Sequence, residues 1–286
     1  MVNEVGTKPT AGTRPVVLNR SCMGANKQQN QDWFAITRLS LAQPGDQATL
    51  LAVADGHGSK EYRRSDLGAR YAVRAFQDTA AHFFAGTDPA SLPESVAKNE
   101  FPRELALRWR RFVVLQAANN PPDGALPDAA GEQKATSEST FLLYGSTLIA
   151  VLVAPNLFAA WQIGDGDLFF VGAKREPRLL LPQKGPDLGD ETDSLCHKDA
   201  ASRFRVHWQP NVRPALVSLS TDGLSKSFAD HDGFRGFCVG LFERLERGDH
   251  EAVENSLPTW LARAANHSGD DTTLCALYDP MALGRA

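Results

Sequence analysis

Three apolar runs of strand length each end at the dipeptide Asp-Gly, and this recurrence constrains the fold more than any other feature. The runs span residues 50–54, 158–164 and 215–221. Their residues favour strands, and Asp-Gly is a turn signal. Three strands are therefore predicted to end in a carboxylate, contributed by Asp55, Asp165 and Asp222.

Helical periodicity separates these strands. The predicted helices cover residues 61–84, 94–118, 232–247 and 251–265, and further strands are predicted at residues 171–181, 203–209 and 272–278. Residues 139–164 carry no charge and are long enough to cross a bilayer, but Pro155 interrupts them and β-branched residues dominate, so a buried hairpin is favoured. Strands interspersed with helix pairs predict a sheet core covered by helices.

Bulk composition excludes several classes of protein. The 286 residues admit one or two domains, and 42% hydrophobic content is enough for a sizeable core. A net charge of -4 provides no field to gather nucleic acid or an anionic membrane. The four cysteines are scattered and residues 1–20 contain no apolar run of signal-peptide length, so a cytoplasmic location is expected.

A fourth acid, Asp270, precedes the last predicted strand. If that strand runs antiparallel to the strands that end in Asp-Gly, Asp270 would join Asp55, Asp165 and Asp222 at one rim. Clustered carboxylates raise one another's pKa unless a cation neutralises them. Oxygen donors of this kind predict a hard divalent ion, Mg²⁺ or Mn²⁺.

The chain resembles the PP2C (PPM) family of phosphatases in motifs that follow the family's order. Residues 55–58, Asp-Gly-His-Gly, match a family motif closely, and residues 24–32 resemble its Gly-x-x-Arg-x-x-Asn-Glu-Asp opening. The other resembling segments are Gly-Ser-Thr at 145–147, Gly-Asp-Gly-Asp at 164–167, Ser-Thr-Asp-Gly at 220–223 and Asp-Asp-Thr-Thr at 270–273. The ordered set is more specific than any one of its members.

This resemblance implies the fold and the domain plan. The fold is expected to be α+β, a four-layer α-β-β-α sandwich of two mainly antiparallel sheets with helix pairs outside. Residues 16–280 would form a single phosphatase domain after a flexible lead-in, residues 1–15. The polar residues 119–140 would form a surface loop or insertion.

The resemblance also implies the roles of the site residues. Asp55 would bridge two Mg²⁺ or Mn²⁺ ions, the Gly56 carbonyl would ligate one, and Asp222 and Asp270 would ligate the other. A water bridging the two ions would attack phosphoserine or phosphothreonine directly. His57 would protonate the leaving alkoxide, because an imidazole normally has a pKa near neutrality.

Three positions depart from the family pattern. Lys27 replaces the phosphate-binding Arg and keeps its charge without the planar fork. Gln31 replaces a Glu, so Asp32 would carry the task of holding metal-bound water. Lys226 replaces an acid that helps to hold a third ion in many members, so a third ion at Asp165 is doubtful and an Asp165–Lys226 ion pair is predicted.

These departures leave two alternatives beside a phosphatase of phosphorylated proteins. One is a pseudophosphatase that binds a phosphoprotein without efficient turnover, and the other is a hydrolase of small phosphate esters. The expected partner is a protein phosphorylated by a serine/threonine kinase, with no nucleic acid and no membrane.

Overall fold

Two five-stranded antiparallel sheets form the centre of the protein. The structure is a computed structural model that describes residues 14–121, 138–181 and 192–284. One sheet has the order β1-β10-β9-β6-β7 and the other β2-β3-β4-β5-β8. The strands are β1 Val16–Cys22, β2 Trp33–Ser40, β3 Gln47–Ala54, β4 Leu148–Ala154, β5 Leu157–Ile163, β6 Asp167–Val171, β7 Pro177–Leu180, β8 Arg205–Pro210, β9 Leu216–Ser220 and β10 Thr272–Tyr278.

Four long helices cover the two outer faces of the sheets. The helices are α1 Ser65–Phe84, α2 Phe101–Asn119, α3 Glu138–Leu142, α4 Ala200–Arg203, α5 Asp222–Ser225, α6 His231–Glu246 and α7 His250–Ser268. Shorter turns are Pro89–Ser91, Val96–Glu100 and Pro280–Ala282. Helices α1 and α2 pack together against the second sheet, and α6 and α7 pack against the first.

Strand alternation creates three apolar layers. In β3, Leu50 and Ala52 face α1 and α2, whereas Leu51 and Val53 face the other sheet. Successive side chains of a strand point to opposite faces, so a strand buried on both sides reads as a continuous apolar run. This arrangement confirms the predicted α-β-β-α sandwich.

The uncharged segment is a hairpin within the second sheet. Strands β4 and β5 pair antiparallel from Leu148 opposite Ile163 to Ala154 opposite Leu157, and every residue of both strands is buried. Across the three described stretches of chain, no helix is long and apolar enough to cross a membrane.

Several predicted element boundaries were wrong. The strand expected at residues 171–181 is the end of β6 followed by β7, because a tight turn closed by Arg175 N donating to Gly172 O at 3.0 Å reverses the chain. Residues 138–140 of the expected loop belong to α3, while residues 122–137 and residues 1–13 of the predicted lead-in lie outside the described residues. Strands β1 and β2 carry mixed burial patterns and were not predicted.

Candidate active site

Asp55 follows the last residue of β3 and is fixed by the segment that leads into β4. The Asp55 backbone N–H donates to Thr147 Oγ1 at 3.1 Å, and Thr147 N–H donates to the Asp55 carbonyl at 2.9 Å. The Gly-Ser-Thr segment therefore holds the first strand-terminal acid in place. Burial, together with the charges of Asp32 and Asp222, raises the pKa of Asp55 well above its usual range.

Asp222 and Asp270 are brought together by the antiparallel pairing of β9 and β10. Ser220 lies opposite Leu274, and Thr221 N–H donates to Thr273 O at 3.1 Å just beyond the ladder. The end of β9 therefore lies beside the start of β10, which confirms the predicted juxtaposition. Asp222 begins the short helix α5.

Asp165 lies in the turn between β5 and β6. Gly166 has φ 96°, a left-handed conformation that favours glycine, and this lets the chain reverse directly into β6. Burial, followed by the nearby Asp222 carboxylate, raises the pKa of Asp165 to about 6. Thr192 Oγ1 donates to Asp165 Oδ2 at 3.4 Å.

The four predicted acids line one cleft. Its volume is about 290 Å³, and its acidic and basic lining residues are Lys27, Asp55, His57, Asp165, Asp222, Lys226 and Asp270. Because neighbouring carboxylates raise the pKa of Asp55 and of Asp165, the cleft favours cations. The geometry thus gathers residues that are far apart in the sequence into one candidate site.

Two lysine ammonium groups contact these acids. Lys27 Nζ lies 2.8 Å from Asp270 Oδ1, while Lys226 Nζ lies 2.6 Å from Asp222 Oδ2 and 3.3 Å from Asp270 Oδ2. The predicted Asp165–Lys226 ion pair was wrong, because Lys226 lies one helical turn after Asp222, whose carboxylate is its nearer partner. As the side chains stand in the described stretches, no three His, Cys, Asp or Glu residues form a set that could hold a metal ion.

Asp32 lies behind the cleft instead of lining it. It is only 5% exposed, and its Oδ2 accepts from Thr221 Oγ1 at 2.8 Å and from Thr273 Oγ1 at 2.7 Å. Burial raises its pKa to about 7, against the lowering effect of the Thr273 and Thr221 hydroxyls. Its other oxygen, Oδ1, has no hydrogen-bond partner in the described part of the chain.

Asp271 holds the loop that carries Lys27, and sequence reasoning missed this role. Its Oδ1 accepts from Gly24 N–H at 2.9 Å, and its Oδ2 accepts from Gln31 N–H at 2.7 Å. The acid at position 271 was visible in the Asp-Asp-Thr-Thr segment, but nothing local in the sequence indicated that its partners precede it by some 240 residues.

Gln31 connects the same loop to the Asp-Gly-His-Gly turn. Its Nε2 donates to His57 O at 3.2 Å and to Ser65 Oγ at 2.6 Å, and its Oε1 accepts from Lys27 Nζ at 3.1 Å. The Gln31 amide thus donates through its nitrogen and accepts through its oxygen. An ionised glutamate side chain can only accept.

His57 projects its ring towards the cleft beside Tyr62. The two ring centroids are 4.7 Å apart in an edge-on arrangement, and a Cβ at Gly145 would lie 2.7 Å from the His57 ring. Burial, followed by the nearby His197, lowers the His57 pKa to about 4, so the expectation of a value near neutrality is not met in the free protein. The imidazole is therefore neutral at pH 7.

A sequence comparison identifies the family. The sequence profile of the family described as Protein phosphatase 2C matches residues 23–262. No curated protein matches the chain. The chain therefore belongs to the protein phosphatase 2C family, a class of phosphoprotein phosphatases.

Several solved structures of serine/threonine phosphatases share this fold. The S. agalactiae serine/threonine phosphatase superposes with a TM-score of 0.58 at 14% identity, covering 93% of this chain and 100% of that one. For Stp1 from Staphylococcus aureus the TM-score is 0.54 at 15% identity, covering 93% and 96%. The catalytic domain of PstP, in complex with 2 manganese ions, gives 0.52 at 18% identity, covering 93% and 97%.

Proposed function

We propose that this chain is a metal-dependent protein serine/threonine phosphatase that hydrolyses phosphoserine and phosphothreonine esters. The observation that carries the proposal is the convergence of Asp55, Asp165, Asp222 and Asp270 on one cleft that also contains His57. Membership of the protein phosphatase 2C family supports a phosphoprotein substrate. The carboxylates provide the negative cluster that a divalent-metal hydrolase needs.

The donor set fits Mg²⁺ or Mn²⁺. All its side-chain donors are carboxylate oxygens, which these ions prefer, and Asp222 Oδ1 is buried without a hydrogen-bond partner in the described residues. Asp55, the Gly56 carbonyl, Asp222 and Asp270 would hold two such ions, with Asp165 at the edge of the set. Bound there, the ions would lower the pKa of a coordinated water and neutralise charge on the phosphoryl group.

Lys27 would bind the substrate phosphate. Gln31 Oε1 and Asp270 Oδ1 hold its ammonium group at the cleft, 3.1 Å and 2.8 Å away. Burial lowers the pKa of Lys27, but the carboxylates of Asp270, Asp271 and Asp55 together raise it by more. The net shift is therefore upward, and the ammonium group stays charged. A flexible point charge of this kind attracts a phosphate dianion without fixing its orientation.

His57 would donate a proton to the leaving serine or threonine oxygen. Its ring lines the cleft, but in the free protein it is neutral near pH 7 because of burial. A phosphate dianion bound beside it would favour the protonated imidazolium by charge attraction. We therefore expect His57 to acquire its proton when the substrate binds.

One observation favours a second candidate, a phosphoprotein-binding pseudophosphatase. Lys226 and Lys27 contact three of the four carboxylate oxygens of Asp222 and Asp270. If these contacts persist in the presence of metal, turnover would be poor while the cleft could still bind a phosphorylated partner.

Hydrolysis of two substrates distinguishes the candidates. Phosphate release from a phosphothreonine peptide and from a small aryl phosphate is measured with saturating Mn²⁺, and Asp222→Asn serves as the control for contaminating activity. Release from the peptide that is lost in Asp222→Asn supports the phosphoprotein phosphatase. Activity on the aryl phosphate alone indicates a small-ester hydrolase, and binding without release indicates the pseudophosphatase.

A further inference from the structure

Lys226 occupies the position of a cation between two of the proposed metal ligands. Its ammonium nitrogen lies 2.6 Å from Asp222 Oδ2 and 3.3 Å from Asp270 Oδ2. The Lys226 backbone N–H also donates to the Asp222 carbonyl at 2.8 Å, so the end of α5 fixes where the side chain begins. A lysine four residues after an acid on a helical turn is placed to reach that acid.

The same carboxylates are neutralised from the other side. Lys27 contacts the second oxygen of Asp270, so both Asp270 oxygens carry an ammonium partner. A positive charge is thus already present where Asp222 and Asp270 would ligate a metal ion.

The Lys226 side chain is free to leave this position. It is 56% exposed, whereas the side chain of Asp222 is only 11% exposed. A lysine has four methylene groups on a flexible stem, and an ion pair whose ammonium group stays exposed to water contributes less stability than a fully buried pair. Moving the Lys226 side chain into water therefore costs less free energy than moving the buried Asp222 carboxylate away from the cleft would.

We propose that Lys226 is a tethered cation that competes with a divalent metal ion for Asp222 and Asp270, and so weakens the binding of that ion. The inference rests on the proposed function, because the competing ion is the one assigned there to these two acids. Without metal, Lys226 separates carboxylates that would repel each other. With metal, its side chain swings away from the two acids.

Calorimetric titration of the whole chain with Mn²⁺ tests this directly. Lys226→Met removes the charge and keeps the length of the side chain, whereas Lys226→Arg keeps the charge. Loss of the competing ion pair should lower the Kd for the Mn²⁺ ion assigned to Asp222 and Asp270 about two- to fivefold in Lys226→Met and leave it nearly unchanged in Lys226→Arg. Unchanged or weaker binding in Lys226→Met would overturn the proposal.

A matched control separates this effect from the general loss of a lysine. Lys98 forms an exposed ion pair with Glu94 at 2.8 Å, also four residues apart on a helical turn and away from the cleft. Lys98→Met should bind Mn²⁺ like the unmodified chain. Thermal unfolding would show whether Lys226→Met folds. If it does not, Lys226→Gln also removes the charge and replaces it in the titration. A Kd for Mn²⁺ that is not lower in Lys226→Gln than in the unmodified chain would also count against the proposal.

Two readouts keep this inference distinct from the proposed function. Thermal unfolding should show a larger gain from Mn²⁺ in Lys226→Met than in the unmodified chain, because the variant lacks its internal cation before metal binds. Tighter binding without phosphate release from any phosphoester would contradict the proposed function alone. Phosphate release with an unchanged Kd in Lys226→Met would contradict the competition alone.

Discussion

Restoring the family residue at position 31 should destabilise this protein. Gln31 Nε2 donates to His57 O and to Ser65 Oγ, and Ser65 Oγ in turn donates to His57 O at 2.9 Å. Ser65 is fully buried, so no water can replace a lost partner there. In Gln31→Glu both oxygens are acceptors, so the His57 carbonyl would lose its amide donor, and the Ser65 hydroxyl could bond the new carboxylate only by withdrawing its own proton from His57 O.

The hydrogen bonds set the size of the effect. Loss of each amide donor bond costs about 0.5–1.5 kcal/mol, and a buried acceptor left unsatisfied costs about 1–3 kcal/mol. The new carboxylate would gain a charged partner in Lys27, worth about 0.2–1 kcal/mol for a partly exposed pair. The free energy of unfolding should therefore fall by about 1–3 kcal/mol.

Urea denaturation of the metal-free protein measures this change. Gln29→Glu is the matched control, because Gln29 is exposed on the same loop and the variant adds the same charge. The control should stay within about 0.5 kcal/mol of the unmodified chain. Equal midpoints for Gln31→Glu and Gln29→Glu would refute the argument that the amide donor holds the turn.

Three further outcomes are expected. Asp55→Asn and Asp222→Asn should each lower kcat for Mn²⁺-dependent hydrolysis at least about a hundredfold, with circular dichroism unchanged, and a near-normal rate would remove that residue from the site. Lys27→Ala should raise KM for a phosphopeptide more than it lowers kcat, because a point charge contributes mainly to ground-state binding; steady-state kinetics showing the reverse split would indicate a transition-state role. Burial raises the Asp32 pKa from 3.8 to about 7, so folded protein keeps a proton that unfolded chain has lost, and the metal-free protein should lose stability as pH rises through that range. Urea midpoints across the range should fall less steeply in Asp32→Asn, and an equal slope would show that Asp32 is not the source.

Local pattern was sufficient to predict three of the four cleft acids, whereas Asp270 also required the assumption of an antiparallel last strand. An apolar run followed by Asp-Gly places Asp55 or Asp222 at a strand end whatever surrounds it. The four predicted acids converge on one cleft, and the hairpin of β4 and β5 was recognised from its strand-favouring residues and the interruption at Pro155. The sandwich followed from the family resemblance together with the alternation of strands and helix pairs.

Contacts between distant segments were beyond local pattern. Asp271 accepts from Gly24 N–H across 247 residues, and Thr273 donates to Asp32 across 241, so no sequence window contains both partners. The choice between Asp165 and Asp222 as partner of Lys226 depended on side-chain direction at the end of α5. The low pKa of His57 depends on burial and on His197, which lies far along the chain.

We propose that divalent metal held by these acids drives hydrolysis of a phosphoprotein. The most direct test is phosphate release from a phosphothreonine peptide by chelated protein, before and after Mn²⁺ is restored, with Asp55→Asn treated in parallel. We expect no release from the chelated chain, recovery on addition of Mn²⁺, and no recovery in Asp55→Asn. Full release after exhaustive chelation, or equal recovery in Asp55→Asn, would contradict the account.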